Sequence, residues 1–208
     1  MPIDYLVSAL VTLLVVVDPV GLAPTFLAVT HGLPAKARKQ IALRACVIAG
    51  AILIGTALVG DWLLRQLGIG VPAFRIAGGL LLFLVASEMV LGVRIDRQSK
   101  QAEEALEEHV RNIAAFPLAI PLMAGPGAIT ATILLAGQTA YRPQWLAALL
   151  AVIVAAMAAC LLSFFAAERI GKLLGVTGNV VLSRLLGVIL AALAVQYVVD
   201  GVRAAFGI

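Results

Sequence analysis

Two short segments hold the residue types that could do chemistry inside an otherwise apolar chain. The first is Asp18-Pro19-Val20-Gly21-Leu22-Ala23-Pro24, followed by Thr25; the second is Pro121-Leu122-Met123-Ala124-Gly125-Pro126-Gly127, with Thr130 one turn further on. Proline lacks an N–H and clashes with the carbonyl four residues back, so each segment interrupts a helix and leaves backbone groups without their usual partners. Asp followed by Pro is also a helix-start signature, with Asp18 as the cap and Pro19 as the first residue. A helix start offers free N–H groups and the positive end of a dipole, which suits a carboxylate. These segments therefore point to binding of a carboxylate-bearing solute, with Gly21, Gly125 and Gly127 letting the backbone come close. Asp18 would take the solute's ammonium or carry a coupling proton. Glu88, the other acid inside an apolar run, is the second proton-exchange candidate; its alternative roles are reaching the interface or pairing with Arg94.

The elements that must position these residues are membrane spans. Of the 208 residues 62% are hydrophobic and 12% charged, against roughly 45–50% and 25% in soluble domains. Mean hydropathy is +1.09. Charge-poor runs at Tyr5–Thr30, Ala45–Gly60, Pro72–Val93, Asn112–Gln138, Pro143–Ala167 and Leu185–Val199 are separated by Gly, Pro and Asn punctuation. No run has the alternating pattern of a membrane β-barrel. The expectation is an all-α polytopic membrane protein with six transmembrane helices, spans one and four broken near mid-membrane. Asp18 follows 13 apolar residues, roughly 20 Å of helix, which sets it deep in the membrane. An Asp there costs about 2.5 to 3.5 kcal/mol, so a purely decorative role is unfavourable.

The breaks superpose at an offset of 102 residues, and Arg75-Ile76-Ala77-Gly78 echoes Arg184-Leu185-Leu186-Gly187 at an offset of 109, with Gly92 and Gly201 also corresponding. Two copies of a three-span unit explain both, at 1–93 and 112–208 joined by a cytoplasmic loop, 94–111. Three spans per copy force the second to insert inverted, the arrangement in which secondary transporters place their sites. Eleven of the fifteen Lys and Arg residues fall on the side of the loops after spans one, three and five. That side is cytoplasmic by the positive-inside rule, and both termini face outward.

Other functions find little support. The net charge of +4 comes without a basic run interleaved with aromatics, so no nucleic-acid partner is implied. Cys46 and Cys160 lie inside apolar runs and read as small packing residues. Metal, phosphate-loop and serine-hydrolase signatures are absent, so no cofactor, metal site or enzymatic activity is expected. The N-terminus does not read as a cleaved signal peptide. Glu103, Glu104, Glu107 and Glu108 read as a solvated cytoplasmic segment. The partners expected are the bilayer and a small-molecule substrate, and assembly as a homo-oligomer stays open.

The segments Asp18 to Phe26, Phe74-Arg75-Ile76-Ala77-Gly78-Gly79 and Pro117 to Thr130 together resemble the MarC family of bacterial inner-membrane proteins, across essentially the whole chain. The resemblance implies a multi-pass protein of the bacterial inner membrane. It also implies kinship with neutral amino-acid transporters of the SnatA type, in the LysE-like superfamily, which handle solutes such as alanine and glycine. The family's usual pattern has Asn-Pro at the first break, where this chain has Asp18-Pro19. A non-transporting membrane scaffold or regulatory subunit is the alternative. Broad drug efflux, which the family name suggests, fits poorly with 6% aromatic residues.

Overall fold

The computed structural model describes residues 3–95, 97–98, 100, 113–139 and 142–207. The acidic cluster from Glu103 to Glu108 lies outside them. The described residues include eight bounded helices, a further helical stretch at 93–95, 97–98 and 100, and no strand; the eight are α1 (Ile3–Val17), α2 (Leu22–Val29), α3 (Ala35–Gln66), α4 (Val71–Leu91), α5 (Ala114–Met123), α6 (Pro126–Gln138), α7 (Pro143–Phe165) and α8 (Ala167–Phe206). Four stretches are long and apolar enough to cross a membrane alone: α3, α4, α7 and Thr177–Phe206 of α8. The pairs α1/α2 and α5/α6, bent by 44° and 57°, raise the number to six.

Proline sits in the first turn of α4, α6 and α7, where its missing N–H costs nothing. The α1/α2 pair runs from one face of the bundle toward the other. The Tyr5 hydroxyl donates to the Leu135 carbonyl at 2.9 Å, near the end of α6, whereas Phe26 stacks on Phe164 at 4.5 Å, near the far end of α7.

Two spans outgrow the sequence expectation. The second, expected at Ala45–Gly60, is the 32-residue α3, which starts among Lys36, Arg38 and Lys39. At about 1.5 Å per residue it exceeds a hydrocarbon core of about 30 Å, so its charged ends reach past the apolar layer. Near its far end Arg65 pairs with Asp61 at 2.7 Å. The sixth, expected at Leu185–Val199, lies within a 40-residue α8 that turns sharply at Gly175, whose φ of 60° favours glycine. Arg44 and Arg184, expected in loops, therefore lie on helices. Cys46 and Cys160 are buried, as packing residues should be.

Interior positions are small. Ala42, Ala45, Ala49 and Ala57 of α3 are fully buried, while Leu80, Leu185 and Val188 point outward at 55–60% exposure. Lipid is as apolar as leucine, so close packing of small residues joins such helices. The tightest contact joins α4 and α8. A methyl at Gly79 would lie 2.7 Å from the Ala194 carbonyl and 2.7 Å from Val198; one at Gly187 would lie 3.1 Å from the Ala86 carbonyl and 3.0 Å from Val90. The early part of each helix thus meets the late part of the other, so they run antiparallel. Gly79 and Gly187, Ala86 and Ala194, and Val90 and Val198 all stand 108 residues apart, so the packing register differs by one from the 109 of the sequence echo.

At one end of the bundle Arg38 of α3 donates to Glu168 of α8 at 2.7 Å. That hydrogen bond, aided by the Arg38 charge, holds the Glu168 carboxyl below its usual range. A depressed carboxylate contributes stability above its unfolded value and loses it as pH falls through the folded one. Acidification through that window should therefore lower the amide-exchange protection factors, taken relative to the intrinsic rate at each pH, around Ala167–Ile170 in the wild type and change them far less in Glu168→Gln. Gly79→Val should destabilise the protein by about 1–3 kcal/mol, because backbone blocks the added atoms. Gly55→Ala meets nothing within 4 Å and should be neutral or stabilising by up to about 1 kcal/mol. Denaturation in detergent micelles measures both.

Candidate functional site

At the first break α1 ends at Val17 and Asp18 takes a left-handed conformation with φ 56°. Its Oδ1 accepts the Gly21 N–H at 2.9 Å, and its carbonyl accepts the Leu22 N–H at 3.0 Å. Asp18 thus caps the next segment, but Pro19–Gly21 form a turn and regular helix begins at Leu22 rather than Pro19. A methyl on Gly21 would run into the Asp18 carboxylate. This glycine makes room for the cap, whereas the sequence suggested room for a ligand. Asp18 itself is sealed at 3% exposure.

The break also strands carbonyls of α1. In a continuous helix the Val16 carbonyl would accept from residue 20. Here the guanidinium of Arg94, from the segment after α4, takes it with Nη2 at 2.7 Å. The Arg94 charge also acts on Asp18. Arg94 is 5% exposed, and its Nη1 is buried without a partner among the described residues.

At the second break Phe116 and Ile120 are extended, as residues preceding proline tend to be, and α5 closes with the wide Ala124 N–H to Ala119 carbonyl bond at 2.8 Å. Gly125 is extended and Pro126 opens α6. The Gly125 Cα faces the Pro121 carbonyl so closely that no side chain fits. The first-turn amides of Gly127 and Ala128 have no acceptor within their own helix.

A cavity of about 340 Å³ lies between this break and α4. Pro121, Leu122, Gly125, Pro126, Gly127 and Ala128 form one wall; Leu81, Leu84, Val85 and Glu88 form the other. Val16, Arg94, Arg97 and Gln98 complete it. Glu88 pairs through Oε1 with Arg97 at 2.7 Å, and so not with Arg94, while its Oε2 is buried without a partner among the described residues. The cavity is thus lined by two residues of opposite charge, each keeping one buried atom unsatisfied among the described residues, beside a helix start.

Of the residues singled out in the sequence, Pro121, Gly125, Pro126, Gly127 and Glu88 meet at this cavity. Asp18, Pro19, Gly21, Pro24, Thr25 and Thr130 are not among its lining residues. Pro24 is exposed, Pro19 and Thr25 are buried, and the Thr130 methyl packs toward Gly78 of α4. The first break reaches the cavity only through Val16 and Arg94. Arg94, Arg97 and Gln98 were missed because charges just past a span read as loop charges. The available signal was Gly92, whose φ of 82° turns the chain after α4.

Comparison with known sequences agrees with this membrane architecture. A family model described as MarC family integral membrane protein matches residues 3–206. A UPF0056 membrane protein of Methanocaldococcus jannaschii is 35% identical over 205 residues, covering 99% of each chain. One from Archaeoglobus fulgidus is 37% identical, over 96% of this chain and 92% of its own. Another, YhcE of Escherichia coli K12, is 36% identical, over 93% and 90%. No solved structure matches.

Gly21→Ala should displace the Asp18 carboxylate, leave the Gly21 N–H unpaired and cost about 1–3 kcal/mol in micellar unfolding. Pro24→Ala, on the exposed side of α2, should cost less than about 1 kcal/mol. Equal effects of the two changes would show that the Asp18 cap is not what holds the break.

Proposed function

The chain belongs to the MarC family of integral membrane proteins, and from that premise we propose that it is a secondary transporter of small neutral amino acids or related small metabolites across the bacterial inner membrane. One observation carries the reading: in a cavity of ligand size, a buried Glu88 Oε2 and a buried Arg94 Nη1 both lack partners among the described residues. Buried polar atoms are nearly always hydrogen-bonded, so two residues of opposite charge that line one small space, each with an unsatisfied atom, suit a solute that brings both an ammonium and a carboxylate. The free amides at the start of α6 add to the carboxylate end. The remaining walls of Leu, Val, Pro and Gly suit a short uncharged side chain. At about 340 Å³ the cavity is near the small end of ligand pockets, and none of its described lining residues is aromatic, which favours this solute class over bulky drugs. An open space at the second break also favours transport over a packed scaffold.

The cavity lies at the end of α4 that leads into the 94–111 loop. The distribution of Lys and Arg makes that face cytoplasmic, with both termini in the periplasm. An inward-facing site fits export. The antiparallel, reciprocal packing of α4 and α8 supports two inverted units, 1–93 and 112–208, joined by 94–111. Glu88 in the cavity wall and Asp18 behind Arg94 are the two candidates for proton coupling.

Protein reconstituted in liposomes should show counterflow of labelled alanine and glycine. Glu88→Gln should cut the rate at least about tenfold, as expected for loss of a charged contact. If Glu88 carries the proton, that variant should also lose the difference between rates at two pH values, while Asp18→Asn keeps it; the reverse outcome assigns the proton to Asp18. No counterflow by well-folded wild-type protein would sink the transport reading.

A further inference from the structure

Arg94 does more than a cavity wall or a structural brace would require. The chain turns back at Gly92, and Arg94 folds against the end of α1, where its Nη2 supplies the donor that the broken helix lost at Val16. Its Nη1, equally buried, is unpartnered among the described residues, and Arg94 lines the cavity. Its charge acts on Asp18, whose carboxylate holds the Gly21 N–H. One residue therefore lines the cavity, holds the Val16 carbonyl at the first break and acts on the Asp18 cap through its charge.

We propose that Arg94 is a positioning residue that couples occupancy of the cavity to the conformation of the first break. The inference rests on the transport reading above. Carboxylates bind guanidinium best through two parallel N–H donors, and turning the guanidinium plane to present such a pair to a bound carboxylate misaligns and weakens the Nη2 bond to the Val16 carbonyl. The carboxylate also competes with Asp18 for the same positive charge. A filled cavity thus loosens the turn from Asp18 to Leu22, whereas an empty one leaves it braced. Lysine cannot do this. Its ammonium is a point charge without a fixed fork, able to satisfy the ligand or the Val16 carbonyl but poorly able to transfer between them.

Alanine counterflow, alanine binding by thermal shift, and deuterium exchange of the Val16–Ala23 backbone, each with and without alanine, test the coupling in wild type and Arg94→Lys. In wild type, saturating alanine should speed exchange across Val16–Ala23 by about threefold or more, a local opening far short of global unfolding. Arg94→Lys should still bind alanine but lose that acceleration, and its maximal counterflow rate should fall about tenfold while half-saturation moves much less. Counterflow in wild type with unchanged exchange across Val16–Ala23 overturns the coupling and leaves transport standing. Retained acceleration in Arg94→Lys at saturating alanine overturns it too, since Arg94 would then be a ligand contact only. Absence of counterflow in wild type removes the transport reading and this inference together.

Discussion

A backbone carbonyl or amide stranded in hydrocarbon costs several kcal/mol, and the structure is organised around where two broken helices put theirs. At the first break the stranded groups are met inside the protein: the Gly21 amide by the Asp18 carboxylate, the Val16 carbonyl by Arg94. At the second, the wide turn of α5 closes one carbonyl with Ala124, and the residues that open α6 line a cavity. The same problem is solved in two ways, one sealed and one left open. Irregular backbone at membrane depth is tolerated only when buried in protein or lining a cavity, and this chain uses both options.

The open solution needs a firm wall opposite it, which α4 provides. Its Gly79 and Ala86 backbone meets α8 with no room for a methyl group, so α4 is held along one face while Leu81, Leu84, Val85 and Glu88 stand on another. Contacts this close are rigid because every atom is at van der Waals range and none can move without disturbing its neighbours. Across the cavity the start of α6 approaches its neighbours closely as well: a methyl on Gly127 would lie 3.2 Å from Val85 and 3.4 Å from Val16.

Much of this was legible in the sequence because proline and glycine act locally. Pro126 marks the start of α6 wherever that helix packs, and the 62% hydrophobic composition dictates spans. The ends of α3 and α8 were not legible, since helices run on past the apolar layer into charged residues that hydropathy assigns to loops. The site was half legible for a related reason. Pro121, Gly125 and Gly127 are fixed by their own segment, but the polar half of the cavity depends on how a turn at Gly92 folds Arg94 and Arg97 back over α4. That is tertiary information. The sequence placed Asp18 on the ligand because an acid in a span needs a reason to be there, and the structure supplies another one.

That reason is the cap on the Gly21 amide, in an interior that Arg94 shares. A guanidinium at 5% exposure, hydrogen-bonded among the described residues to the uncharged Val16 carbonyl, would by itself be a poorly compensated buried cation. Asp18, sealed at 3%, brings the opposite charge into the same interior and commits one oxygen to Gly21. Amide-bearing Asn at this position, the usual pattern in the family the sequence resembles, would still accept from Gly21 but leave the arginine without that charge. The acid and the arginine therefore depend on each other, and the consequence falls on the cavity. Arg94 keeps Nη1 without a partner among the described residues while it holds the Val16 carbonyl, so a residue that lines the cavity also closes the first break.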